Sequence, residues 1–260
     1  MSNPDRLPSP PAGRRHLATV AFAVLMLSLT GVFAALGAWQ WQRLAEKQAL
    51  IAAVESRVDQ PPVALPAARE WPALAPAYYD YRPLTVSGEY VPEGTVLVFT
   101  SLSAGSRRYS GPGYWVMTPL ALREGGTLFV NRGFVPEAAA AAFAAGGPLP
   151  AGFVTLTGVG RAPEQASAFT PGADTENGIE WIRDPERLAR LAAPAPAPFA
   201  PVYLDLPAGD AGALPQGGET VVDFPNNHLG YAITWFGFAL LTPVMLGFWL
   251  LRRGRAGKDQ

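Results

Sequence analysis

Two long stretches without a single charge set the limits on what this chain can fold into. Leu229 to Leu251 contains no charged residue, and at ~1.5 Å of rise per residue a helix of that length crosses a hydrocarbon core of roughly 30 Å. Leu17 to about Trp41 is equally uncharged, and Arg43 and Lys47 close it just beyond the aromatic pair Trp39 and Trp41. Both read as transmembrane helices, and together they bracket the chain.

The first run also has marks of a cleaved signal peptide, with Arg14-Arg15 as a basic lead and Ala35-Leu36-Gly37 as small residues for cleavage. A signal-peptide apolar region is normally about 7–15 residues, and this run is clearly longer, so it is expected to stay as a helix. The arginine pair is read as orientation charge rather than as a twin-arginine signal. Arg14 and Arg15 precede the first span and Arg252, Arg253, Arg255 and Lys258 follow the second, whereas Asp205 to His228 carries no Lys or Arg. Arg43 and Lys47 argue the other way. The one-sidedness of the second span favours both termini in the cytoplasm and the long middle outside, which for a bacterial inner membrane means the periplasm.

Composition fits that picture. With 260 residues and a formal net charge of -1, the chain has no basic footprint for nucleic acid and no acidic tail. Cysteine is absent, so disulfides, thiolate metal sites and a cysteine nucleophile are excluded. Roughly 180 residues lie between the spans, enough to bury a core without disulfides. Residues 1–13 hold four prolines and read as a disordered cytoplasmic tail, followed by a first transmembrane helix at 14–42. An extracytoplasmic domain is expected at 43–227, a second transmembrane helix at 228–251 and a cytoplasmic tail at 252–260.

Beyond the first span the pattern stays helical through Leu44, Gln48, Ile51 and Val54 until Pro61-Pro62 stops it. Pro61 to Ala77 reads as a linker. Short β-like runs follow at Tyr81–Tyr90, Thr95–Thr100, Tyr114–Leu122, Thr127–Val135, Phe153–Arg161, Val202–Leu206 and Thr220–Phe224, punctuated by Gly or Pro. Asp184-Pro185-Glu186 combines an N-cap, a proline at the first helical position and an early acid, which predicts a short helix that the Pro/Ala run Ala192–Pro201 ends. Glu137–Ala145 is read as a helical turn or a loop. The fold class is a membrane protein whose two transmembrane helices flank a mainly antiparallel β (α+β) extracytoplasmic domain, a small barrel or sandwich.

In the second span His228, Tyr231, Trp235 and Ala239 recur at spacings of three and four, and Gly230, Thr234 and Gly237 line a neighbouring small-residue face. The first face is suited to a flat aromatic ligand and the second to another helix. Gly31, Ala34, Ala35 and Ala38 give the first span a small-residue pattern that permits close approach. The plainer alternative is that the two spans pack together and their aromatics form interfacial belts. His228 is one of two histidines; the other, His16, flanks the first span. A neutral imidazole is an axial ligand for haem iron, and Tyr231 and Trp235 supply an apolar wall. The competing role for His228 is a polar group at the headgroups or a cap, helped by Asn226 or Asn227.

The chain resembles the surfeit locus protein 1 family of cytochrome c oxidase assembly factors, over nearly all of its length after the N-terminal tail. The resemblance is carried by Leu36-Gly37-Ala38-Trp39-Gln40-Trp41-Gln42-Arg43-Leu44 with Glu46-Lys47, by Tyr81 to Tyr90, by Val130-Asn131-Arg132-Gly133-Phe134-Val135-Pro136 and by Asn226 to Phe236, in that order. It implies a membrane-anchored factor that binds haem a transiently, His228 being the implied iron ligand, and helps haem insertion into oxidase subunit I. The partners it implies are subunit I, haem-synthesis or other assembly proteins, and the lipid bilayer. Phe134 stands where members commonly have Trp, and Gly230 where a larger side chain is frequent.

Arg132 and Arg43 are the other binding candidates. Arg132 either pairs with a carboxylate inside the domain, beside a bulge at Gly133, or reaches a haem propionate. Arg43 and Lys47 suit propionates or lipid phosphates, with snorkelling as the simpler role. No enzyme is expected. The middle domain has no histidine apart from His228 at its edge, so a Ser-His-Asp triad or a zinc hydrolase site has almost no material. Four methionines without cysteine make a poor copper chaperone. The competing function is a haem-free scaffold that holds oxidase subunits.

Overall fold

The computed structural model describes residues 12–103, 108–219 and 226–256. The leading tail through residue 11 and the expected strand at Thr220–Phe224 lie outside the described residues. Contacts divide the chain into two units, one holding residues up to 52 and from 223 onward, the other Ala53–Val222.

The first unit is built from two helices. Helix α1 runs Ala12–Val58 without a proline to interrupt it and stops just ahead of Pro61-Pro62, as the helical pattern predicts. Helix α4, named for its place after the short helices α2 (Pro76–Tyr79) and α3 (Pro185–Ala189), spans His228–Ala256. Both long helices have the length and apolar composition to cross a membrane. Pro243 lies inside α4, where its ring leaves the Ala239 carbonyl without a backbone donor. The Thr242 hydroxyl lies beside that carbonyl (3.5 Å) and donates to Phe238 O at 3.0 Å, the kind of hydroxyl support that lets an apolar helix keep a proline.

The second unit is a single eight-stranded mixed sheet. Its strands are β1 (Val63–Ala64), β2 (Pro83–Tyr90), β3 (Val96–Leu102), β4 (Gly111–Leu122), β5 (Thr127–Pro136), β6 (Phe153–Arg161), β7 (Ile179–Glu180) and β8 (Phe199–Asp205). Their order is β1-β2-β6-β8-β5-β4-β3-β7, and β2 pairs again with β4 through Gly88–Tyr90. The pairings β1–β2, β3–β7 and β5–β8 are parallel, and the rest are antiparallel.

Side chains on β8 alternate between two cores. Ala200, Val202 and Leu204 join Leu84, Leu120, Leu128 and Val130, whereas Tyr203 joins Met117, Phe129, Phe134 and Leu188 on the opposite face. Strands covered on both faces read as near-continuous apolar runs, which is the pattern of β5 and β8. The stretch expected as a linker is instead packed. It contributes β1 and a 3-10 turn at Ala68–Ala73, whose Trp71 buries its ring in the first core and donates its indole N–H to Pro66 O at 2.8 Å. Burial of a large ring with its one donor satisfied anchors a segment that its Pro/Ala composition makes look loose.

A buried ionic cluster around Asp205 interrupts the apolar pattern. Asp205, 3% exposed, accepts from Asn131 Nδ2 at 2.9 Å and from Arg161 at 3.4 Å, and lies 3.8 Å from Arg183. Arg161 also donates to Asp80, and Arg183 to Glu164, both at 3.0 Å. Burial pushes the Glu164 carboxyl up, but the Arg183 pair outweighs it and holds the group below its usual range. The network fastens the long connection between β6 and β8 to the sheet. Within that connection α3 begins as predicted, with the Asp184 carboxylate accepting from Glu186 N.

Candidate functional site

The two long helices present matching stripes to each other. On α1 the residues sheltered by packing are Met26, Thr30, Phe33, Gly37, Gln40 and Leu44; on α4 they are His228, Ala232, Trp235, Ala239, Thr242 and Leu246. Spacings of four and three keep each set on one side of its helix. Phe33 stacks on Trp235 with centroids 5.8 Å apart, Phe22 meets Trp249 at 4.6 Å, and the hydroxyls of Thr30 and Thr242 lie 2.8 Å apart. Paired residues run in opposite directions along the two helices, which makes the pair antiparallel. At Gly37 a side chain would start 2.7 Å from the Phe236 ring, so glycine permits the approach.

His228 closes this stripe at the start of α4. Its Nδ1 lies 2.7 Å from Oε1 of Gln40, a side chain only 9% exposed. A carbonyl oxygen only accepts, so in this contact the ring donates from Nδ1, and a neutral ring that does so has its lone pair on Nε2. This is the arrangement in which a histidine serves as a metal ligand, with the second ring nitrogen held by an acceptor.

The faces of α4 differ from the sequence expectation. His228 and Trp235 lie on the side that packs against α1, whereas Tyr231, expected beside them, is 56% exposed. The next residue, Ala232, takes the buried place, because an added 100° per residue separates neighbours that both lie one turn from His228. Gly230 and Gly237, expected to face a helix, have open space where a side chain would begin. Gly230, Tyr231 and Thr234 instead line a shallow hollow with Asn226 and Asn227. Gly31, expected at the close approach, is likewise open, and Gly37 has that role. The alternative in which the spans pack on each other describes these contacts.

Both arginine candidates are engaged by groups of the protein itself. Arg43 pairs with Glu46 at 2.7 Å one turn along α1, with both side chains about half exposed. Arg132 sits in the sheet unit and donates to the carbonyls of Gly146 and Pro148, not to a carboxylate. Its guanidinium lies 5.9 Å from the Tyr90 ring, and burial lowers its pKa. The bulge expected beside it is present: the β4–β5 register shifts between Trp115 and Met117, and Gly133 has φ +124°. Asn131 Oδ1 accepts from Gly133 N and steadies the turn.

Among the described residues no three His, Cys, Asp or Glu side chains gather into a cage for a bare ion. Haem iron is already held by its macrocycle and takes one or two protein ligands, a need that His228 fits by donor type. The partner of His228 that sequence reading did not single out is Gln40. Its signal was present in the sequence, a glutamine between two tryptophans in register with Gly37 and Leu44.

Comparison with known proteins identifies the lineage. The SURF1 family model matches residues 27–240. A SURF1-like protein of Monosiga brevicollis is 32% identical over 241 residues, covering 89% of this chain and 87% of that protein. Surfeit locus protein 1 of Homo sapiens is 32% identical over 239 residues, covering 85% and 75%, and that of Rattus norvegicus is 31% identical over 223 residues, covering 80% and 68%. On these matches the chain belongs to the SURF1 family, a family of cytochrome oxidase assembly factors.

Proposed function

We propose that this chain serves assembly of a haem-copper cytochrome c oxidase by holding haem a transiently at His228 and helping its insertion into subunit I. The observation that carries this reading is the 2.7 Å contact of Gln40 with His228 Nδ1, since a metal-binding histidine is commonly held through its other ring nitrogen. If bound, haem would supply the iron, and the chain would supply the His228 imidazole that holds it, the orientation of that ring and an apolar surround. We also place α1 and α4 in a bacterial inner membrane with both termini cytoplasmic and the sheet unit periplasmic, on the charge asymmetry around the second span. His228 then lies at the outer boundary, and Tyr231 and Trp235 suit that depth as amphipathic aromatics. Arg43 would bind a propionate only by exchanging Glu46 for the ligand.

A haem-free scaffold is the second reading, favoured by one observation: the histidine and tryptophan of the proposed ligand face are used in helix packing. A deletion strain separates the two. Cells lacking the chain should accumulate subunit I with less haem a, and wild-type chain should restore it while His228→Ala does not. Full restoration by His228→Ala, with normal haem a in subunit I, would support the scaffold instead.

A further inference from the structure

We infer that Gln40 is a positioning residue for the haem-ligand site: it selects the His228 tautomer that presents a lone pair at Nε2. This inference rests on the reading of His228 as an iron ligand and adds the residue that prepares it.

The α1 stripe that meets α4 is otherwise Met26, Thr30, Phe33, Gly37 and Leu44, and a leucine or alanine at position 40 would satisfy its packing. A glutamine there buries an amide in an apolar seam, which is unfavourable unless its polar atoms find partners. Its Oε1 finds one 188 residues away in the chain, His228 Nδ1 at 2.7 Å, a short contact for a nitrogen donor. The other polar pair of the seam, Thr30 with Thr242, differs in kind. Each hydroxyl also lies within bonding distance of a carbonyl of its own helix, Met26 O for Thr30 and Phe238 O for Thr242, so two protons serve three contacts in a local structural role.

Geometry separates Gln40 from a packing contact in a second way. An imidazole without a fixed partner interconverts between two neutral tautomers, and only the one protonated on Nδ1 offers Nε2 to a metal. An acceptor-only oxygen on Nδ1 selects that tautomer before any metal arrives and fixes the ring plane. The selection also has a direction: a glutamine oxygen polarises the imidazole less than a carboxylate would, and a hydrocarbon would not select at all.

The test uses the full-length chain in detergent or nanodiscs, labelled with 15N-histidine. The sequence has two histidines, so the His228→Ala spectrum assigns the signals. In the haem-free wild type the neutral His228 ring should show a protonated Nδ1 and an unprotonated Nε2. Gln40→Leu should give a mixture of tautomers, and Gln40→Glu should restore the Nδ1-protonated form. With haem added, Gln40→Leu should bind roughly 10- to 100-fold more weakly, the range for loss of an outer-shell partner, and Gln40→Glu should bind and lower the iron reduction potential. An unchanged tautomer in a folded Gln40→Leu chain overturns the inference. If Gln40→Leu fails to fold, loss of the Nδ1-protonated form in a folded Gln40→Glu chain overturns it equally. Absence of haem binding in wild type would instead remove the ligand reading, while the tautomer result would still decide what Gln40 does to the ring.

Discussion

At the scale of single residues, the constraints on this chain sit where a side chain must do more than fill space. Gly133 has φ +124°, and a Cβ there would lie 2.4 Å from the Gln216 backbone, so both conformation and contact demand glycine. Gly133→Ala should therefore destabilise the sheet unit by about 1–3 kcal/mol or more, read as a fall in thermal midpoint. Tyr90 tests the same core through its proton. Burial pushes its hydroxyl up to about 12 from the ordinary value of 10.0, against a smaller opposing effect of Arg132. The folded state thus holds the phenol proton more tightly than the unfolded one. Its contribution is present in full below pH 10.0 and is lost as pH rises through about 12, on the order of 2 kcal/mol in all. Denaturant midpoints measured across that window should fall with pH, and Tyr90→Phe should flatten the fall; an equally steep fall in the variant would assign the effect elsewhere.

At the scale of elements, the two long helices form a seam with one polar contact at its end and another along its length. Hydrogen bonds between apolar helices average about 0.6 kcal/mol, because the separated helices also find partners. A double-mutant cycle with Thr30→Val and Thr242→Val should give a coupling near that size by unfolding in detergent, and a coupling of zero would show that the hydroxyls only serve their own helices. Much at this scale was legible in the sequence. Uncharged length marked both long helices, Asp184-Pro185-Glu186 marked α3, and Val- and Thr-rich runs bounded by Gly and Pro marked β2 to β6 and β8. What escaped has a physical reason in each case. Strands β1 and β7 have two residues each, too few for any alternation to register. Trp71 hid inside a Pro/Ala stretch because one ring can anchor a segment whose composition reads as loose. The packing face of α4 was misjudged because Tyr231 and Ala232 both lie about one turn beyond His228, and sequence spacing does not say which of them meets α1. Gln40 was visible as a residue, but its role arises from a contact spanning 188 positions that only the folded pair reveals.

At the scale of the whole molecule, membership of the SURF1 family joins an apolar helix pair and a mixed sheet unit in one oxidase assembly factor. The sheet unit is closed by its own ionic network around Asp205 and by an Arg132 already engaged with carbonyls. The helix unit carries His228, held through Nδ1 by Gln40. Under the proposed function, haem binding falls to the helix pair. The most direct test is the absorption spectrum of the protein purified from membranes of cells that make haem a, recorded beside a His228→Ala variant of equal yield and fold. A Soret band in the wild type that is lost or strongly reduced in His228→Ala is the predicted result, and a band of the same position and intensity in both, or none in the wild type under haem-replete conditions, would contradict it.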